Sequence, residues 1–153
     1  MNKYIEEYLS ILKVERNLAY NSLDSYRRDL KKYRHFVKEI LNISSISDVS
    51  LGHIRSYIRY LSDNGLSANS VKRNISSIRT FHSFLSSEGY AKNNPTLLLH
   101  APKSSQKLPN FLTVDEIDRI LDSIPKDSPL YRRDVAIFEL LYSCGLRVTE
   151  LCE

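Results

Sequence analysis

The chain has 153 residues, and its hydrophobic fraction of 42% and charged fraction of 26% are typical of a folded globular protein, which excludes intrinsic disorder. The net charge is +4, but the basic residues are unevenly placed. Residues 1–100 carry 15 Lys and Arg against nine Asp and Glu, whereas residues 101–153 carry seven against nine. This asymmetry favours a polyanion contact made by the first segment, with a merely solvated Lys- and Arg-rich surface as the alternative.

Other classes of site are disfavoured by what the sequence lacks. No apolar run approaches the roughly 20 residues that span a bilayer, and no apolar segment of a signal peptide follows Met1. Cys144 and Cys152 have no metal-ligand spacing and are predicted to be buried thiols, and the four histidines are scattered. We therefore predict a cytoplasmic protein with no membrane segment and no metal site.

Four helices are predicted in the first part of the chain. Apolar residues recur at steps of three and four within residues 2–16, 22–42, 51–63 and 68–87. The second helix has the clearest stripe, formed by Leu23, Tyr26, Leu30, Tyr33, Val37 and Ile40. Gly65 is predicted to end the third helix, Ser67 to cap the fourth and Gly89 to end it.

The pattern changes after Asn94-Pro95. Residues 96–112 contain prolines, serines and lysines without a periodic apolar face, which predicts an interdomain linker. Thr113-Val-Asp-Glu116 then has the spacing of a capping box, and its helix ends at Pro125. The next predicted helix, residues 130–143, has four apolar residues that we expect to face inward: Val135, Phe138, Leu141 and Tyr142.

These elements predict an all-α protein with three parts. Residues 1–95 form a helical domain, 96–112 a linker, and 113–153 the start of a second domain. Gly145 ends the sixth helix, and a further helix begins near Leu146. Because the chain stops within that helix while apolar Leu151 has no partner, we expect a longer parent protein.

Two surfaces are candidates for DNA contact. The second helix carries a cationic stripe beside its apolar one, which suits a phosphate backbone, although a solvated face with ion pairs such as Asp24–Arg28 is the alternative. The fourth helix has a face of small polar and basic residues, and no acidic residue occurs from Ser67 to Ser87. The candidate DNA-binding residues are Arg27, Arg28, Lys31, Arg34, Lys38, Asn69, Lys72, Arg73, Ser76, Arg79 and Thr80.

The segment Leu140-Leu-Tyr-Ser-Cys-Gly-Leu-Arg147-Val-Thr-Glu150-Leu resembles the first catalytic box of the tyrosine site-specific recombinases, or phage-integrase family, of the XerC/XerD type. Upstream segments are similar to the same family in the same order: Ser25-Tyr-Arg-Arg-Asp-Leu30, Arg73-Asn-Ile-Ser-Ser-Ile-Arg79, Glu88-Gly-Tyr90, Pro102-Lys103, Leu108-Pro109 and Arg133-Asp-Val-Ala136. The resemblance implies a four-helix SAM-like core-binding bundle followed by the first helices of the catalytic domain.

The resemblance also implies a chemistry. Such enzymes cut and rejoin double-stranded DNA at specific sites through a 3′-phosphotyrosyl intermediate, without a cofactor, as a recombinase tetramer on paired sites. Arg147 matches the first catalytic arginine, whose planar, always charged fork suits a transition state that gathers negative charge. Glu150 matches the acidic residue that orients it. The family's lysine, His-x-x-Arg box and nucleophilic tyrosine have no match in these 153 residues, so we expect this chain to bind DNA without cleaving it.

Two other hypotheses stay open on the residues alone. One is a stand-alone, non-catalytic helical DNA-binding module, and the other is a helical protein–protein module whose basic face is incidental. A reading frame that continues to a His-x-x-Arg box and a late tyrosine would distinguish the recombinase from the stand-alone DNA-binding module. Salt-dependent binding to a duplex would distinguish a DNA-binding protein from the protein–protein module. The sequence does not decide between chromosome dimer resolution and phage or transposon integration.

Overall fold

A computed structural model describes residues 1–99 and 111–153. The chain divides into two compact units, Met1–Ser105 (unit 1) and Gln106–Glu153 (unit 2). Helices and no strands occur in the two described ranges, which confirms the predicted all-α class. Most of the predicted linker, residues 100–110, lies outside the described residues.

Unit 1 contains four α-helices. They are α1 (Asn2–Val14), α2 (Tyr20–His35), α3 (Leu51–Asp63) and α4 (Ala68–Ser87). Helix α2 continues into a π-helical turn, Phe36–Ile40, and a short 3-10 helix, Ile46–Asp48, precedes α3. Helices α1 and α2 pack against each other, and both pack against α4, which α3 also contacts.

The core of unit 1 is built from the predicted apolar stripes. Tyr33, Tyr57 and Phe81 are fully buried, and aromatic rings contact one another from α1 to α4. Thr96 and Leu99, which follow α4, are buried as well, and Leu99 belongs to this core. The burial of apolar surface, at about 25 cal/mol per Å², is what holds the four helices together.

The second helix differs from its prediction. An uninterrupted helix over residues 22–42 was expected, but regular α-helix ends at His35 and the next turn is wider, with the Leu41 N–H donating to the Phe36 carbonyl at 3.0 Å. The extra residue in that turn rotates the following side chains. Phe36 and Val37 are buried, whereas Ile40, predicted to lie on the apolar stripe, is 44% exposed.

Unit 2 contains α5 (Val114–Asp122), α6 (Tyr131–Cys144) and α7 (Val148–Cys152). The Glu116 carboxylate accepts a hydrogen bond from the Thr113 N–H at 2.8 Å, as the capping-box spacing predicts. Gly145 ends α6 with φ of +62°, in the left-handed region that a residue without Cβ adopts at little cost.

Two predictions about burial in unit 2 are wrong. Phe138 and Tyr142 were expected to face inward, but they are 43% and 53% exposed. Both thiols were expected to be buried, yet Cys144 and Cys152 are exposed and free. In the described part of this unit Ile124 is the one buried apolar side chain, so α5 and α6 leave much of their apolar surface open.

None of the helices described in either unit is long and apolar enough to cross a membrane. Among residues 1–99 and 111–153, no group of three or more His, Cys, Asp and Glu side chains is placed to hold a metal ion.

Candidate nucleic-acid interface

The outer face of α4 is open to solvent. Asn69, Lys72, Ser76 and Ser83 are all exposed on it, while Ile75, Ile78 and the other apolar side chains of the helix point into the core. The helix begins at Ser67, whose Oγ accepts a hydrogen bond from the Ser70 N–H at 3.3 Å. Short polar side chains on an exposed 20-residue helix allow close approach of a groove or backbone.

Three predicted residues of this face have partners within unit 1: Arg73, which binds Asp29, and Arg79 and Thr80. The Arg79 Nη2 donates to the Leu99 carbonyl at 2.6 Å, which ties α4 to the segment that follows it. The half-buried Thr80 Oγ1 donates to the carbonyls of Ser76 and Ser77, both at 3.1 Å. All three side chains therefore have structural contacts in addition to any contact with a ligand.

The cationic stripe of α2 lies on the flank that faces α1. The Arg27 Nη2 lies 3.4 Å from a Glu6 carboxylate oxygen, and Arg34 donates to the Asn2 side-chain carbonyl. Lys31 is exposed between them, and Lys38 is exposed on the π-helical turn. Of the four basic residues that form the stripe, Arg27, Lys31, Arg34 and Lys38, two therefore contact polar groups of α1.

The opposite flank of α2 faces α4. Asn21, Ser22 and Ser25 from α2 line a cleft of about 380 Å³ together with Arg73 and Ser76 from α4. Arg28 is exposed and pairs with Asp24 at 3.2 Å, the ion pair that the sequence suggested. The structure therefore brings the α4 face together with the Ser-rich flank of α2, and it places Arg27 and Arg34 on the other flank.

Asp29 is the residue that sequence reasoning missed. Its position among the basic residues of α2 suggests a charge that only dilutes the cationic stripe, but its side chain is fully buried between α2 and α4. Its carboxylate oxygens accept hydrogen bonds from the Arg73 Nε at 3.1 Å, the Arg73 Nη2 at 3.0 Å and the Ser77 Oγ at 3.0 Å. One signal was available: Asp29 lies three residues after Tyr26 and four before Tyr33, both members of the apolar stripe.

Two further polar pairs link α4 to its neighbours within the core. The Tyr57 hydroxyl donates to the Asn74 side-chain oxygen at 3.2 Å, and the Tyr33 hydroxyl and His82 Nε2 lie 2.8 Å apart. Burial raises the pKa of both tyrosines well above their usual range and lowers the pKa of His82 to about 4. Both pairs are neutral at physiological pH, and they lie on the buried side of α4, away from its exposed polar face.

Arg147 and Glu150, the two predicted catalytic residues, are in contact in unit 2. Arg147 precedes α7, and its backbone N–H and Nη1 donate to the two Glu150 carboxylate oxygens at 2.7 and 2.8 Å. The Arg147 side chain is 81% exposed, so this ion pair adds little stability but leaves most of the guanidinium accessible. A carboxylate that holds both the backbone and the side chain of one arginine limits the directions in which that side chain points.

Comparisons with known proteins cover both units. The family model described as phage integrase, N-terminal SAM-like domain, matches residues 5–89, and that described as phage integrase family matches residues 110–153. Tyrosine recombinase XerD of Staphylococcus saprophyticus is 42% identical over 153 residues, all of this chain and 52% of that protein. XerD of Staphylococcus aureus is 42% identical over 151 residues, 99% of this chain and 51% of that protein.

The fold has a counterpart among solved structures. A lambda integrase dimer bound to a COC′ core site superposes with a TM-score of 0.76 at 25% identity, covering 100% of this chain and 50% of that one. The chain spans about half the length of the curated relatives it matches. One family model covers more than half of the residues and a second covers residues 110–153, so the chain belongs to the phage integrase family.

Proposed function

We propose that unit 1 binds double-stranded DNA through the outer face of α4 and the adjoining flank of α2. The observation that carries the proposal is the exposed α4 face, on which small polar and basic side chains occur without an acidic one from Ser67 to Ser87. An anionic backbone meets no repulsion there, and Lys72 and Arg73 supply positive charge. The related lambda integrase, bound to a core site, supports the same conclusion.

The candidate residues divide into two groups by their surroundings. The first group lies on α4 and on the exposed surface of α2, and we assign it the main contacts: Asn69, Lys72, Arg73, Ser76, Thr80 and Arg28. Within it, Arg73 and Ser76 line the Ser-rich cleft, and Arg79 serves as a flanking positive charge. We assign a peripheral role to the second group, which lies on the other flank of α2 or on the turn that follows it: Arg27, Lys31, Arg34 and Lys38.

Salt dependence of binding tests this proposal. The affinity of the 153-residue chain for a short duplex should fall steeply as salt rises, because each phosphate contact releases counterions. Lys72→Gln should weaken binding and reduce the slope of log K against log salt by about one. Lys126→Gln removes an equivalent exposed charge from unit 2 and serves as the matched control, with no change expected. Binding that is absent, or that does not respond to salt, would contradict the proposal.

For the parent protein we propose site-specific recombination through a 3′-phosphotyrosyl intermediate, carried out by a tetramer on paired sites. Arg147 would stabilise the negative charge that gathers on the scissile phosphate, and Glu150 would orient it. The Arg147–Glu150 contact and the XerD relatives support these roles. The division into a core-binding domain (1–95), linker (96–112) and catalytic segment (113–153) belongs to the same proposal, as do a cytoplasmic location and a role in chromosome partition.

Replacement of Arg147 tests the catalytic assignment. In a full-length recombinase that carries these residues, Arg147→Lys should lower the cleavage rate by a factor of 10² or more, since an ammonium cannot bind two phosphate oxygens in a planar fork. Arg133→Lys, on the neighbouring helix α6, is the control and should cleave normally. Cleavage by Arg147→Lys at the unaltered rate would exclude the assigned role. The 153-residue chain alone should form no covalent adduct with a nicked duplex.

A further inference from the structure

The Asp29–Arg73 pair is asymmetric in its exposure. The Asp29 side chain is completely buried, whereas the Arg73 side chain that binds it is 51% exposed. A buried carboxylate is stable only when its oxygens are satisfied, and here Arg73 and Ser77 together make three hydrogen bonds to it. These three hydrogen bonds therefore belong to the packing between α2, which carries Asp29, and α4, which carries Arg73 and Ser77.

The geometry leaves much of the guanidinium available. An arginine side chain has five N–H donors in one plane, and Asp29 receives hydrogen bonds from the Nε and from one N–H of Nη2. Both contacts lie along one edge of the plane, so the Nη1 group and the second N–H of Nη2 lie on the other edges. Because two parallel bonds hold the fork, Arg73 cannot rotate as a surface arginine normally does.

The cleft beside Arg73 is suited to a phosphate group. Arg73 and the Asp29 carboxylate that pairs with it are the charged groups of the lining. The rest of the lining is uncharged and rich in hydroxyl groups, with Asn21, Ser22, Ser25 and Ser76 on the two helices. Hydroxyl and amide groups donate hydrogen bonds to phosphate oxygens, and a cation fixed before binding loses less conformational freedom when the ligand arrives.

We propose that Asp29 is a positioning residue for DNA binding: with Ser77 it fixes the Arg73 guanidinium at the α2–α4 cleft, where the remaining N–H groups contact a backbone phosphate. This inference rests on the proposed DNA-binding function and adds to it an acidic residue that promotes binding of a polyanion. Long-range electrostatics alone require the opposite, since removing a negative charge should strengthen binding to DNA.

The two explanations predict opposite changes in DNA affinity when the Asp29 charge is removed, so one substitution distinguishes them. The affinity of the 153-residue chain for a short duplex is measured at low salt for the unaltered protein and for Asp29→Asn, with folding verified by circular dichroism and urea unfolding. Asp29→Asn should bind about three- to tenfold more weakly than the unaltered protein. Asp24→Asn is the matched control, because Asp24 also lies on α2 and also pairs with an arginine, but at the surface. Its affinity should stay equal or rise.

A double variant shows whether Asp29 acts through Arg73. Arg73→Gln should weaken binding and reduce the salt slope by about one, and adding Asp29→Asn to it should cause no further loss. Equal or stronger binding by folded Asp29→Asn, or full additivity of the two effects, would overturn the inference. If Asp29→Asn does not fold, Ser77→Ala decides, because it removes one hydrogen bond and keeps the ion pair: weaker binding supports the inference, and unchanged binding overturns it. Absence of salt-dependent binding by the unaltered protein would instead reject the proposed function itself.

Discussion

His82 and His35 belong to the same bundle but lie in opposite environments. His82 is buried in α4, where its ring contacts those of Tyr33 and Phe81 and its Nε2 lies 2.8 Å from the Tyr33 hydroxyl. Its Nδ1 has no hydrogen-bond partner among the described residues. His35 ends α2 and is exposed. Burial disfavours the imidazolium ion and lowers the pKa of His82 to about 4.

The stability of unit 1 should therefore fall as pH decreases from about 6.5 to 4. The pKa of His82 in the folded state lies below its usual value of 6.5, so the unfolded chain takes up the proton first, and the difference amounts to about 3 kcal/mol. The loss is measured as the change in the free energy of unfolding in urea at pH 7, 5.5 and 4. Between pH 7 and 4, the free energy of unfolding of the double variant Tyr33→Phe/His82→Leu should fall by about 3 kcal/mol less than that of the unaltered protein.

His35→Gln is the control for this experiment. It removes an exposed histidine, so its loss of stability between pH 7 and 4 should match that of the unaltered protein. An equal loss by the Tyr33→Phe/His82→Leu variant would show that other groups are responsible for the pH dependence.

At the scale of elements, the four helices of unit 1 were predicted, and three of them, α1, α3 and α4, have bounds close to those expected. The reason is that apolar residues recur at 3.6-residue spacing and the caps are specific. Ser67 and Gly65, for example, lie where α4 begins and where the turn after α3 has a φ of +77°. The π-helical turn at Phe36–Ile40 was not predicted, since apolar residues continue at steps of three and four through it. At the start of the wider turn, Phe36 packs against Tyr57 and Tyr60, a contact with α3 that helical periodicity does not reveal.

The N-cap of α4 should contribute measurably to stability. Ser67→Ala removes the acceptor for the Ser70 N–H and should lower the free energy of unfolding by about 1 kcal/mol. Ser67→Asp keeps an acceptor at the same position and should retain most of the stability. Urea unfolding compares the three proteins, and an unchanged midpoint for Ser67→Ala would contradict the assigned cap.

At the scale of the whole molecule, the two units differ in how much apolar surface they bury. Unit 1 buries a continuous core that includes Leu30, Ile54, Ile78 and Leu85, all at 0% exposure. Unit 2 leaves an open apolar depression of about 300 Å³ lined by Leu112, Ile117, Ile120, Leu121, Phe138, Leu141 and Tyr142. Because burial of apolar surface is the main source of stability, unit 2 should unfold locally more often than unit 1.

Limited proteolysis tests this difference. Trypsin should cleave within α5 and α6, at Arg119 or Arg132, before it cleaves within α2 or α4, and mass spectrometry of a time course identifies the order. Leu30→Ala, which creates a cavity costing about 2–5 kcal/mol in the unit 1 core, should remove much of the protection of α2 and α4. Simultaneous cleavage of both units in the unaltered protein would contradict the expected order.

The sequence by itself determined the helical class, most element bounds, the candidate basic and small-polar faces and the Arg147–Glu150 box, because these depend on local spacing and on side-chain chemistry. Tertiary structure decided the rest. It placed Arg27 and Arg34 against α1 and the Ser-rich flank of α2 against α4, and it buried Asp29 beneath Arg73. Helical periodicity assigns a residue to a face of its own helix, whereas the partner of that face depends on how the helices pack together.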